Sequence, residues 1–421
     1  MRHSASIILL LVSATVALSC AATNEFGALT LDEALAFAET HHPDLAEATA
    51  LADAAKGRAK YAGAFPNPEA VARMESAPFR GKTAGDAEYL GGVAQSIPLG
   101  ARLSKARQVE ELDRERLLRT LEVKRRDIRR RVHSAFATAL YQEQADRTLA
   151  EFAADADKLA AATKARLEAG DALPEHVARA EMELARAVVE LKRTQSLREQ
   201  AMAALAGAMG DATLRINSLL GSLDNAFEIP TLESLASSLS EHPATSLATA
   251  DMNASRARVN LAQAERVPDI QVELLYHRLQ AERRDSLDMG ISIPLPFFDR
   301  NRGKLQAAQA ETAAAEARAR STRNELDLRM RQSYAQLTAA LTTSRILKNE
   351  VIPKAETVRK AAETRYAAGD ISLNEVLPVR RDWAAVQLTY LESLRDVMQA
   401  WANIGPFLTK SAHQKSARSY D

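Results

Sequence analysis

Residues 289–300 read MGISIPLPFFDR, and residues 92–102 read GVAQSIPLGAR. The tetrapeptide SIPL therefore occurs twice, at 96–99 and 292–295, each time ahead of a long alanine-rich run. Before the second copy the residues alternate. Leu287, Met289, Ile291 and Ile293 fall on one face of an extended chain, and Asp288, Gly290 and Ser292 on the other. Strict alternation is the pattern of a half-buried strand. Proline has no backbone N–H, so Pro98 and Pro294 stop a strand ladder, and proline is tolerated in the first turn of a helix. SIPL reads as a strand-to-helix joint.

The joint occurs twice because the unit around it occurs twice. TLDEAL at 30–35 and TLESLA at 231–236 are 201 residues apart. His42-Pro43 and His242-Pro243 are 200 apart, the two SIPL prolines 196, and RLEAGD at 166–171 and RYAAGD at 365–370 199. Four signals in the same order at nearly one offset mark a tandem duplication. The repeats span 30–210 and 231–404, with a linker or equatorial segment at 211–230 and a tail at 405–421.

In the first repeat, 31–65 has a helical pattern broken at His42-Pro43. Strands are predicted at 69–76 and 87–97, joined by a loop at 78–86. A proline-free helical run at 99–169 ends at Gly170 and Asp171, and 173–209 is helical again. In the second, 232–266 is helical, strands fall at 269–277 and 286–293, and a long run covers 302–368. Gly369 and Asp370 interrupt it before a last helix at 373–404. Pro353 should kink the second long run locally. In each repeat the two shorter helices together match the long one, so they can cover it end to end. At ~1.5 Å per residue the long helices reach roughly 100 Å. The predicted fold is mainly α with a small β part, a rod or tube rather than a globule.

Composition agrees. The chain of 421 residues has 55 basic and 55 acidic side chains, which argues against a nucleic-acid binder. Aromatic residues make up only 5%, too few for an ordinary globular core of this size. Arg2 and His3 precede an apolar run at 7–18, too short to span a bilayer, so residues 1–20 read as a secretory signal. Cys20 is the only cysteine and has no intramolecular disulfide partner. VALSC at 16–20 resembles a lipoprotein cleavage box with Cys20 acylated; the other reading is ordinary cleavage after Ala21 or Ala22. No other segment is apolar for the length a membrane helix needs.

Each predicted strand has about the length of a transmembrane β-strand, roughly 9–11 residues. One reading is a soluble hairpin packed on the helices. In a membrane, four strands cannot close a barrel, since the smallest have about eight. An open sheet cannot lie in lipid with unpaired edges. Membrane strands would therefore require several copies to share one barrel, and three copies would supply twelve strands.

At this point the chain resembles the TolC-type outer-membrane efflux family. The resemblance rests on His42-Pro43-Asp44-Leu45, FPNPE at 65–69, SIPL at 96–99, and the segments 166–171 and 365–372. PLPFFDRNRG at 294–303, followed by KLQAAQAE, and ERVPD at 265–269 are similar to the heavy-metal cation efflux (CzcC-like) branch. The resemblance implies a homotrimer with a shared twelve-stranded barrel in the outer membrane of a Gram-negative bacterium, in contact with its lipids. A helical tunnel would extend into the periplasm to meet a periplasmic adaptor (membrane fusion) protein and an inner-membrane pump of the resistance-nodulation-division (RND) type. Drug or organic-compound efflux and type I secretion are the alternatives within the family. A periplasmic adaptor, with one hairpin between β-rich domains, and a structural coiled coil fit the duplicated strand pairs less well.

No catalytic, cofactor or metal site is expected: phosphate-binding glycine loops, CxxC and HExxH are absent. His41 and His42 are neighbours, and adjacent helical residues diverge by about 100°, so they read as a helix boundary before Pro43. Gly170 and Gly369 suit the left-handed position after a helix. Ser372 and Glu375 fit a capping box, and Asp171 is the expected cap in the first repeat, where Leu173 stands in place of the serine. The resemblance adds that Gly170, Asp171, Tyr366, Gly369, Asp370, Ser372 and Glu375 form the periplasmic tip, which closes the tunnel at rest and docks the adaptor. Tyr366 matches a tyrosine that constrains the closed tip. Ile371 occupies the position where relatives can place its arginine partner. Glu375 matches a position that can carry an acidic ring. Leu287, Met289, Ile291 and Ile293 are the expected lipid-facing residues. Relatives often carry a glycine-rich basic turn after the second strand, where this chain has Leu99-Gly100-Ala101-Arg102.

Overall fold

The computed structural model describes residues 25–76, 87–224, 229–280 and 282–408. The signal segment with Cys20, the loop at 78–86 and the tail beyond 408 lie outside the described residues.

The chain opens with strand β1 (Glu25–Leu29), helix α1 (Leu31–His41) and helix α2 (Pro43–Ala62). Thr30 caps α1, and Glu33 returns the hydrogen bond to its backbone N–H at 2.9 Å. The break at His42-Pro43 is real. His42 is extended, its Nδ1 accepts the Asp44 N–H at 3.2 Å, and Pro43 opens α2, where no N–H is needed. Strands β2 (Glu69–Glu75) and β3 (Glu88–Ile97) follow, then α3 (Arg102–Glu168) and α4 (Pro174–Met209). The second repeat carries α5 (Leu232–Ser238), α6 (Pro243–Ala264), β5 (Ile270–Leu279) and β6 (Arg284–Ser292). It ends with α7 (Arg302–Ile346), α8 (Ile352–Ala367) and α9 (Leu373–Ile404).

Three expectations need correction. The SIPL prolines end strands but stay outside the helices. Ala101 (φ 58°) and Asn301 (φ 56°) are left-handed, and each long helix starts on the next residue. The run at 302–368 is not one regular helix. A π turn at Leu347–Val351 separates α7 from α8, just before Pro353, whose missing N–H cannot continue the ladder. The segment at 211–230, for which no strand is expected, holds one. It contains β4 (Arg215–Leu219), which pairs in parallel with β1 through Phe26–Ile216 and Leu29–Leu219. Both strands have five residues, too short for alternation to stand out.

The helices form a wall. Along α3, α2 and α4 lie end to end on one flank, and α6 and α9 on the other; α6 and α9 in turn flank α7 and α8. The largest cluster sits at mid-height, where Leu29, Ile128, Val132, Phe136, Leu205 and Met209 are buried around the small β1–β4 sheet. Glu143, also buried, accepts the Leu219 N–H at 2.9 Å and pairs with Arg147, fixing that sheet to α3. Towards the hairpin ends the contacts thin to alanine layers, with Ala153, Ala156 and Ala187 in one cluster. Small side chains let two helices approach closely without a deep core, which accounts for the low aromatic content.

Candidate channel wall and hairpin tips

The second sheet has the order β2-β3-β5-β6, with every neighbouring pair antiparallel. Its register joins the two repeats: Ile97 lies opposite Ile270, and Leu90 opposite His277. β2 and β6 are the outer edges. The ladder puts Tyr276 beside Leu287, Leu274 beside Met289 and Val272 beside Ile291. It continues to Val93 on β3 and Ala70 on β2. One face is thus apolar across all four strands. Leu287, Met289 and Ile291 are 68%, 74% and 68% exposed, far beyond ordinary scattered surface residues.

The opposite face carries the polar side chains of β5 and β6, with Leu90 and Ala94 of β3 buried among them. His277 lies between Asp288 (Nδ1, 2.9 Å) and Glu88 (Nε2, 3.0 Å), linking β3, β5 and β6. Arg73 pairs with Glu273 at 3.3 Å. Leu275, the one break in the alternation of β5, lies on this face opposite Gly92 and is buried. A Cβ on Gly92 would lie 2.0 Å from the Leu274 carbonyl oxygen, so only glycine fits there. The need for glycine at 92 was invisible in the sequence, because it comes from the neighbouring strand.

At the other end of the molecule the two helical hairpins turn in the same way. Gly170 (φ 83°) and Gly369 (φ 82°) are left-handed. Asp171 N–H donates to Arg166 O at 2.8 Å and Gly170 N–H to Leu167 O at 3.0 Å. Asp370 and Gly369 repeat the pair onto Arg365 and Tyr366. These are two Schellman caps. Glu375 accepts from both the N–H (2.8 Å) and the hydroxyl (2.9 Å) of Ser372, the carboxylate half of the expected capping box. That bonding holds the Glu375 carboxyl below the usual range. Asp171 does not cap α4. Leu173 holds the cap position without a side-chain bond, and Pro174 at the start of the helix removes one N–H that would need capping.

The structure brings the hairpins together at Tyr366. Ile371 packs in the apolar cluster around Leu373 and Val376. A cation reaches Tyr366 from the other hairpin instead, with the Arg166 guanidinium 5.3 Å from its ring centre. The signal was present in the repeat, since Arg166 and Arg365 are equivalent residues, but only the packing shows which one faces the ring. Arg179 and Asn374 add a 2.7 Å hydrogen bond between hairpins. Higher up, Arg359 sits between Glu356 (2.7 Å) and Glu363 (2.9 Å) and over the Trp383 ring, which pulls Glu356 down to about 2.

Among the described residues no group of three or more His, Cys, Asp and Glu is placed to hold a metal ion, and no helix is long and apolar enough to cross a membrane. His41 stacks on Phe37, and His42 is occupied in its cap.

Comparison with known proteins converges on this architecture. The family model for the outer membrane efflux protein matches residues 235–406. The cobalt-zinc-cadmium resistance protein CzcC of Cupriavidus metallidurans is 28% identical over 384 residues, covering 91% of this chain and 90% of that protein. The Campylobacter jejuni CmeC outer membrane channel superimposes with a TM-score of 0.75 at 12% identity, over 92% of this chain and 89% of that one. CusC, solved in connection with folding and transmembrane channel formation, gives 0.66 at 16% identity over 90% and 91%. Residues 235–406 thus match the model of the outer membrane efflux protein family, and about nine-tenths of the chain has the fold of solved outer-membrane channels.

Proposed function

We propose that this chain is the outer-membrane channel of a tripartite efflux system. Three copies form a passive conduit through which an inner-membrane RND pump and a periplasmic adaptor discharge heavy-metal cations to the exterior. The observation that carries the reading is the four-stranded sheet, apolar and exposed on one face, with the polar side chains of β5 and β6 on the other and both edges open. Such an apolar face is stable against lipid, but open edges are not, so copies join edge to edge until the sheet closes around its opposite face. The α3–α4 and α8–α9 hairpins extend from the barrel into the periplasm. Their turns, at Gly170 and Gly369, are the docking end for the adaptor and the gate.

The cargo assignment is supported by the similarity to a cobalt-zinc-cadmium resistance protein across nine-tenths of both chains. A passive conduit needs no metal ligands of its own, because tight binding would slow release.

Deletion of the gene, with complementation, tests the reading in one strain. The expected result is lost resistance to cobalt, zinc or cadmium, with the wild-type protein in the outer-membrane fraction as a heat-labile trimer. A soluble monomeric protein would overturn the channel. Unchanged metal resistance alongside lost export of organic compounds or polypeptides would overturn the cargo.

A further inference from the structure

The chain has four joints between sheet and helices, and neighbouring joints touch: Asn301 in the second outgoing joint donates to Ala262 O and Glu265, and Pro66 in the first incoming joint accepts from Gln95. The outgoing joint of the first repeat, between β3 and α3, lies beside the incoming joint of the second, between α6 and β5. There Arg102 Nη1 is 2.6 Å from Asp269 Oδ2, and a Cβ on Gly100 would come within 3.1 Å of Val267. The other two joints lie at the outer edges of the sheet: the incoming joint before β2 and the outgoing joint after β6.

The duplication places the same ion pair at those edges. Arg302 is the first residue of α7, as Arg102 is of α3, and each follows a left-handed residue. Pro68-Glu69 leads into β2 as Pro268-Asp269 leads into β5, both at an offset of 200. Arg302 and Glu69 are both exposed, and neither has an ion-pair partner among the described residues. Resting on the ring of copies proposed above, we infer that Arg302 of one copy pairs with Glu69 of the next. The seam between copies repeats the seam between repeats.

Strand direction permits it. All neighbours are antiparallel, so β2 and β6 run in opposite directions, and β6 can pair with the β2 of a following copy in the same antiparallel sense. An independent observation points to the same seam. SIPL recurs after 196 residues but the long helices start 200 apart, so the second outgoing joint contains four additional residues, 296–299. These include Phe297 and Phe298, the latter fully exposed. At the opposite edge, Tyr61 in the last turn of α2 and Phe65 in the incoming joint are 85% and 55% exposed. The corresponding central positions are Leu261 and Glu265, without aromatics. Exposed aromatic side chains thus stand at the two joints that face another copy, where they cover each other around the ion pair.

Charge exchange tests the pair. Arg302→Glu and Glu69→Arg should each lower heat-labile trimer about tenfold or more, because like charges then meet at every seam. The combination Arg302→Glu with Glu69→Arg should restore it. Oxidised Arg302→Cys with Glu69→Cys should give covalent dimers and trimers, whereas Arg102→Cys with Asp269→Cys should link within one chain; single-cysteine variants measure any background from Cys20. A wild-type trimer with no inter-copy link and no restoration overturns the seam and leaves the channel standing. A wild type that never oligomerises overturns the ring reading and the seam together. Phe298→Trp in vesicles of brominated phospholipid separates the occupants: strong quenching would place lipid on the aromatic joint and overturn that half of the seam, and weak quenching supports a neighbouring copy.

Discussion

The first repeat carries its long helix through 67 residues without interruption, whereas the second breaks the same run with a π turn before Pro353. Position in the wall explains the difference. Helix α3 is flanked on both sides within the chain, and its buried residues run from Val109 to Thr163. Helices α7 and α8 are covered by α6 and α9, and α8 has no buried residue at all. A proline that would disrupt packing in α3 is tolerated at the open flank. The duplication sets the geometry of equivalent elements, and their place at the centre or the edge of the chain sets their chemistry.

The sharpest way to break that comparison is on β6, an edge strand with one apolar and one polar face. Met289→Arg, near the middle of β6 on the apolar face, should cost roughly 2–4 kcal/mol per copy, and heat-labile trimer should nearly vanish. Ser292→Arg, at the helical end of the strand and facing the other way, should be milder. Equal tolerance of the two on a gel of unheated membranes would show the faces to be assigned wrongly.

The two capping histidines sharpen the comparison by pH. Burial pushes His242 down to about 4, and the Arg126 charge acts in the same direction. Its Nδ1 must stay unprotonated to accept the Ala244 N–H at 3.1 Å. Below its usual value near 6.5 the unfolded chain takes up a proton that the folded chain refuses until about 4. Stability is therefore complete above 6.5 and falls as the pH drops through that window, by up to about 3 kcal/mol. His242→Gln should flatten the fall in melting temperature between pH 7 and 4. His42, also lowered by burial but partly offset by Asp44, should matter less; if His42→Gln flattens the curve more, the order is wrong.

At the tips the repeats are nearly equal. Gly170→Val and Gly369→Val should each cost roughly 1–2 kcal/mol, since a side chain is strained at positive φ although the space around both is open. Trimer should form with either. Adaptor cross-linking and metal resistance should be lost with Gly369→Val; if both persist, this turn does not dock the adaptor. The smallest expected effect is Arg166→Ala, about 0.5–1 kcal/mol from one cation–π contact at an exposed site. A measurable rise in conductance of the reconstituted trimer would mark it as part of the closed state, and an unchanged conductance as plain packing.

Much of this was legible in advance because the controlling interactions are local. The His-Pro breaks, the glycine turns and the proline ends of the strands each depend on a few consecutive residues. The ends of α9 and the four large strands follow from patterns of seven or more residues. What could not be read depends on neighbours distant in sequence. The parallel pairing of β1 with β4 joins segments about 190 residues apart. Gly92 is fixed by the carbonyl of Leu274, and the arginine that meets Tyr366 comes from the other hairpin. The offset of 196 between the SIPL motifs, against 200 elsewhere, was visible from the start; only the positions of the helix starts reveal it as four additional residues at an edge joint.

All four large strands meet the helices at the same end of the sheet, where Glu69, Ile97, Ile270 and Ser292 lie near one level. The far end of the described sheet is the β5–β6 turn. A copy inserting from the helical side drives that end through hydrocarbon, and the helical bulk never crosses. In that turn Glu282, Arg283, Arg284 and Asp285 cancel in sign, and Asp285 pairs with Arg278 at 3.5 Å. A charged side chain at mid-membrane costs about 2.5–3.5 kcal/mol even by lenient scales. The barrier at the β5–β6 end is thus concentrated in these four mutually neutralising residues, independent of how far the helices reach on the other side.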